Sequence, residues 1–125
     1  MNLSERLGRG LALRPTKSKY GNLPSVVNGE KYRSKKEAKR HGELLLLLRA
    51  GAIANLRREV PFALVPGVRF VGSNRATPAL RYVADFVYLE QGEEVVEDCK
   101  GFRTPVYKIK RHLMLALLKK DIFET

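Results

Sequence analysis

The chain has 125 residues, with 24 lysines and arginines against 13 aspartates and glutamates, a formal net charge of +11. An apolar share of 44% argues against wholesale disorder, and apolar runs such as Leu44–Leu48 fall far short of the about 20 residues a membrane-spanning helix needs. Arg6 and Arg9 are not followed by the apolar stretch of a secretory leader, and the lone Cys99 excludes an internal disulfide or a cysteine zinc cage, so a cytoplasmic compartment is expected.

Residues 1–19 carry five basic residues and one acidic residue with little apolar periodicity, and read as a flexible basic arm. The remainder, 20–125, reads as a single domain. Asn28-Gly29, between Val26-Val27 and Glu30-Lys31-Tyr32, favours a tight hairpin turn. A helix follows. Ser34 and Glu37 form a capping-box pattern, Ala38, His41, Leu44, Leu45 and Leu48 keep a 3.6-residue period, and Gly51 is a stop. Residues 53–65 read as one or two strands pushed to a sheet edge by Pro61 and Pro66. Residues 66–79 read as a loop. Two β-rich runs, Leu80–Leu89 and Val95–Cys99, suggest an antiparallel pair turning at Glu90–Glu93. Pro105 opens a last helix with Val106, Ile109, Leu113, Met114 and Leu117 on one face, and Ile122-Phe123 adds a short strand. Helix, strands and helix in that order make an α/β or α+β domain.

A chain this basic repels itself unless it meets a polyanion, and nucleic acid is the expected partner. The informative chemistry lies in the two runs. Asp85 stands inside an otherwise apolar strand, where an unpartnered carboxylate costs several kcal/mol. Asp98 and Lys100 are two apart on the next strand and so project to one face. If the strands pair, both carboxylates and the lysine converge. Two carboxylates can hold magnesium, which takes oxygen ligands and keeps several waters, and the backbone carbonyl of Cys99 is a further oxygen donor. A metal so held activates a water for phosphodiester cleavage, and a lysine beside it can position that water. Glu97 is adjacent to Asp98 and is the alternative ligand; counting back two from Lys100 selects Asp98, and alternation then sends Glu97 to the opposite face.

These residues resemble the PD-(D/E)xK nuclease superfamily, and most closely its small phage-encoded endonucleases and Holliday-junction resolvases. The likeness is carried by Tyr82-Val83-Ala84-Asp85-Phe86 and Val96-Glu97-Asp98-Cys99-Lys100-Gly101, with Glu37 matching the leading glutamate on the helix before the sheet. It spans about residues 20–120, and Ala84 stands where the superfamily's name has proline. The resemblance implies a restriction-endonuclease-like core, an α/β fold with a mixed sheet flanked by helices in α-β-β-β-α-β order. It implies a magnesium-dependent DNA endonuclease, manganese substituting, with Glu37, Asp85, Asp98 and Lys100 as the catalytic set. The metal would be held by Asp85, Asp98, the Cys99 carbonyl and Glu37. It further implies a homodimer acting on branched DNA, in a bacterial host cell if the protein is of phage origin.

Each residue also has a plainer reading. Glu37 closes a capping box, Cys99 is a core residue on the face opposite Asp98, His41 is a partly buried structural histidine, and Glu59 is a surface charge. Lys35, Lys36, Arg103, Lys108, Lys110 and Arg111 are candidate phosphate contacts or solvated helix charge. The competing functions are a non-catalytic basic nucleic-acid-binding protein and a sequence-specific restriction-type nuclease.

Overall fold

A computed structural model describes the backbone of residues 25–27 and all of residues 30–125. The basic arm expected over 1–19 and the Asn28-Gly29 turn lie outside the described residues. The chain divides into two compact units, Met1–Leu56 and Arg57–Thr125.

In the first unit, β1 (Ser25–Val27) pairs antiparallel with β2 (Glu30–Tyr32), Val27 opposite Glu30. Helix α1 spans Lys35–Arg49 and starts as its sequence dictates: the Ser34 side chain accepts the Glu37 N–H at 3.1 Å. The reciprocal half of the box is shifted by one residue, because Glu37 Oε2 accepts the N–H of Arg33, at 3.0 Å, not that of Ser34. The helix ends on Gly51 at φ +79°, a conformation that costs a side-chain-bearing residue energy. Ala52 N–H reaches Leu47 O at 2.9 Å and Gly51 N–H reaches Leu48 O at 3.1 Å, the paired bonds of a Schellman cap. Ala38, His41 and Leu44 are buried as the period requires, while Leu48 is 37% exposed. His41 is buried, its Nδ1 lying 2.7 Å from the Tyr32 hydroxyl.

The second unit holds most of a four-stranded sheet in the order β3-β4-β5-β6, and β3 (Ala54–Val65) is its edge strand, as Pro61 demands. It is one strand throughout. Val60, Phe62 and Leu64 alternate inward. β4 (Leu80–Glu90) and β5 (Glu93–Asp98) form an antiparallel hairpin around Gln91 and Gly92, both at positive φ, the requirement of a type I′ turn. Helix α2 (Pro105–Leu118) crosses to β6 (Ile122–Glu124), which pairs parallel with β5. The sheet is therefore mixed, and from Lys35 onward the elements run α-β-β-β-α-β. Among the described residues no helix is long and apolar enough to cross a membrane.

The face that α2 turns to the core differs from the one its periodicity suggests. Tyr107 and Met114 are buried and Leu113 and Leu118 pack beside them. Val106, Ile109 and Leu117 are 60%, 61% and 49% exposed. Tyr107 sets this rotation: its ring meets Tyr82 at 6.3 Å and its hydroxyl reaches Glu124, so the helix turns by the amount that buries a polar-tipped aromatic with its partner.

Loop 66–79 is irregular but braced. Thr77 N–H donates to Val68 O at 2.6 Å and Val68 N–H to Thr77 Oγ1 at 2.9 Å. Its two legs approach so closely at Gly67 that an added Cβ would stand 1.8 Å from Thr77 O. Gly67→Ala is therefore expected to open the loop base. Limited proteolysis should then cut within residues 67–77 faster than in the wild type, with the global melting temperature little changed; equal cutting rates would show that the legs can part without cost.

Candidate active site

The β4–β5 register ends at Phe86 opposite Glu97, which brings Asp85 and the end of β5 together. Beyond that point the ladder changes character. Cys99 N–H donates to the Asp85 carboxylate, Oδ2, at 2.9 Å. Lys100 Nζ lies 3.0 Å from Asp98 Oδ1, so Asp98 and Lys100 do share a face. The other Asp98 oxygen accepts the Tyr82 hydroxyl at 2.5 Å. Asp85 and Asp98 are both buried, and Lys100 is half-buried.

Tyr82 and Val87 belong to the same core cluster, together with Val96, which faces Val87. They are an odd number of residues apart, so strict alternation would put them on opposite faces. The strand thus slips phase by one residue between Ala84 and Val87, the signature of a β-bulge. That slip lets Tyr82 reach Asp98 while Asp85 reaches the Cys99 amide. Burial first, then the Asp98 hydrogen bond and the charges of Asp98 and Asp85, push the Tyr82 phenol far above its ordinary pKa. It stays a protonated donor. Glu97 faces the other way and is fully buried, with Tyr88 OH donating to Oε1 at 2.7 Å and Thr125 Oγ1 within 3.3 Å of Oε2. The Cys99 thiol shares that opposite side, 3.4 Å from Thr125 Oγ1.

The backbone under the site is clamped by the last strand. Thr125 N–H donates to Asp98 O at 3.0 Å and Lys100 N–H to Thr125 O at 3.1 Å. From above, the Lys100 ammonium sits 4.0 Å over the Tyr107 ring, a cation–π contact. The Tyr107 hydroxyl donates to Glu124 Oε2 at 2.7 Å, and burial together with that bond raises its pKa. Glu124 also takes Arg103 through a bidentate pair, Nη2 at 2.8 Å, and Arg111 Nη1 at 3.2 Å.

A family model described as a protein of unknown function, DUF1064, matches residues 17–121. The chain belongs to that family. No curated protein and no solved structure matches it.

In this DUF1064 chain the buried pair Asp85 and Asp98, with the Cys99 carbonyl on the same turn of backbone, offers the hard oxygen donors that suit magnesium. Among the described residues, no group of three or more His, Cys, Asp or Glu side chains gathers as a metal cluster, so any ion here would keep several waters, as magnesium commonly does. Glu37 stands in the first unit, on the first turn of α1, buried, with its carboxylate on the Arg33 amide. Lys35 and Lys36 are exposed on that same turn. Arg103 and Arg111 are tied to Glu124. Lys108 and Arg111 flank His112, Leu115, Ala116 and Asp121 along an open groove of about 570 Å³, and Lys110 is half-buried.

Reading the sequence alone gives Tyr82 a place in the resemblance but no role at the site, and misses Tyr107 and Glu124. Tyr82 carried a signal, lying three residues before an aspartate in an apolar strand. Tyr107 reads as one more apolar helix residue, and Glu124 joins the site only through the parallel strand at the chain's end.

Proposed function

We propose that this protein is a metal-dependent DNA endonuclease of the PD-(D/E)xK kind, built on a restriction-endonuclease-like core. The observation that carries the reading is two buried carboxylates at the adjoining ends of neighbouring strands, one holding the Cys99 amide and the other ion-paired to a half-buried lysine. An ion pair whose carboxylate is buried is weak as a stabilising device, which favours a chemical role. The charge of +11 supplies the attraction to a polyanion.

Asp85, Asp98 and the Cys99 carbonyl would hold a magnesium or manganese ion, which lowers the pKa of a bound water and offsets charge on the phosphate. Lys100, leaning on Asp98 and on the Tyr107 ring, presents an ammonium that orients the attacking water and stabilises the extra negative charge on the five-coordinate phosphorus. The Tyr82 hydroxyl fixes the Asp98 carboxylate in the rotamer that leaves it facing Lys100. The new bond is water oxygen to phosphorus, the bond broken is phosphorus to one ester oxygen, and the leaving oxygen takes up a proton. Glu37 enters this scheme through the resemblance of its helix start. Branched DNA as the substrate and a homodimer that cuts two strands have the same source.

Labelled four-way-junction, flap and linear duplex DNA, incubated with the purified protein in magnesium or EDTA, tests the reading. Magnesium-dependent cleavage, fastest on the junction, is expected. Tight, salt-sensitive binding of all three substrates with no cleavage in magnesium or manganese would place the protein among non-catalytic binders. Cleavage of linear duplex at one sequence only would make it a restriction-type enzyme.

A further inference from the structure

Residues 67–77 carry an exposed apolar tip on a strongly basic chain. Phe70 is 66% exposed, and Val71 is fully exposed. Neither belongs to a core cluster, and a large aromatic left in water at the end of a loop has a cost that packing elsewhere does not return. The tip is nonetheless rigid. Ser73 N–H closes a turn on Phe70 O at 3.1 Å, with Gly72 in its third position at φ +82°, as a type II turn requires. Arg69 Nη2 braces the turn through Asn74 O at 3.2 Å, and Ser73 Oγ donates to Arg75 O at 2.9 Å. Below it the Val68–Thr77 bonds lock the legs. A loop so tied pays little ordering entropy when it meets a partner.

The chemistry around the tip selects that partner. From Pro61 to Ala84 the chain has Arg69, Arg75 and Arg81 and no aspartate or glutamate. Arg69 precedes Phe70 in the chain and Arg75 follows it by five residues, on the same short loop. An exposed aromatic ring on a loop that also carries two guanidinium groups suits a base step between phosphates: the arginines meet the backbone and the ring enters the stack.

We propose that loop 67–77 is a DNA wedge, in which Phe70 inserts between or against bases while Arg69 and Arg75 hold the flanking phosphates. This rests on the nuclease reading in taking DNA as the polyanion and in placing the cut bond at Asp85. The loop joins the sheet at Leu80, five residues before Asp85, which is about 17 Å along a strand and about five nucleotide steps of DNA at 3.4 Å each. The wedge therefore distorts DNA at a distance from the cut bond, and a site already unstacked, such as a branch point, offers it the easiest entry.

The test uses the full-length protein in EDTA, so that no strand is cut, with duplex and junction DNA carrying 2-aminopurine at successive positions. Fluorescence reports unstacking, and anisotropy reports Kd. Wild type is expected to raise fluorescence at neighbouring positions on one side of the cleavage point. Phe70→Ala should abolish that rise and weaken Kd roughly 5- to 150-fold, whereas Phe70→Trp should keep both. Because the ring is exposed, circular dichroism melts of both variants should match the wild type. No fluorescence change on wild-type binding, or an unchanged Kd for Phe70→Ala, overturns the proposal. So does a phenotype that moves to lipid: wild type binding phosphatidylglycerol vesicles, the variant not, with DNA unstacking absent. Unstacking by a wild type that never cuts in magnesium or manganese would remove the nuclease and leave the wedge.

Discussion

If the proposed nuclease reading holds, Lys100→Ala is expected to lower the rate of magnesium-dependent DNA cleavage on the order of 10²- to 10³-fold and to leave the affinity for DNA nearly unchanged. The ammonium stands 3.0 Å from Asp98 and 4.0 Å above the Tyr107 ring, so its position is set by two groups that survive the substitution. What disappears is one preorganised positive charge at the place where negative charge develops, an interaction felt mainly in the transition state. One lysine among 24 basic residues contributes little to overall phosphate attraction, and the salt slope of binding should fall by no more than about one counterion. Asp98→Asn is the companion variant. It keeps an oxygen to accept the Tyr82 hydroxyl but loses the charge that faces Lys100, and it should be inactive with a melting temperature near that of the wild type. A Lys100→Ala protein cutting at the wild-type rate would remove this lysine from the chemistry. An Asp98→Asn protein that unfolds would instead make the pair an architectural device.

Glu124→Gln is expected to cost no more than about 1 kcal/mol of stability at neutral pH and to remove the part of the acid sensitivity that this carboxylate contributes. Hydrogen bonding from Arg103 is the main cause that holds the Glu124 carboxyl down, from an ordinary 4.5 to about 2, with Tyr107 and the charge of Arg111 assisting and burial opposing. Arg103 is held protonated by the same contact. Since the folded pKa lies below the unfolded one, the unfolded chain takes up the proton first as acid is added. The stabilisation is therefore complete above about pH 4.5 and drains away as pH falls toward about 2. The size stays well under the full linkage value because both arginines are about half exposed and water screens them. Urea titrations at a series of pH values should show the wild type losing stability more steeply than Glu124→Gln across that window. Parallel curves would mean that the arginine contacts are made equally in the unfolded chain or contribute nothing. Because the Tyr107 hydroxyl donates to the same carboxylate, the variant also loosens the ring beneath Lys100, and a slower cleavage rate should accompany the stability loss.

The elements with local causes could be read from residues alone. Ser34 and Glu37 announce the start of α1, Gly51 its end, Pro61 an edge strand, and Pro105 the start of α2, because each acts on its own few residues of backbone. The slip between Ala84 and Val87 was not legible, since period-two reasoning assumes an unbroken pleat. Nor was the rotation of α2: Val106, Ile109 and Leu117 keep helical spacing as well as Tyr107 and Met114 do, and only the sheet decides which set is buried.

The same division runs through the candidate site. That Asp98 and Lys100 share a face follows from alternation, a property of any strand, and Asp85 is out of place in an apolar run whatever the fold. What those side chains touch depends on how the sheet closes. The antiparallel pairing carries Asp85 to the Cys99 amide, the parallel return of β6 lays Thr125 under Asp98 and Glu124 under Tyr107, and the bulge turns Tyr82 toward Asp98. Those contacts join residues far apart in the chain, and their existence depends on the closure of the whole sheet, which no local pattern encodes.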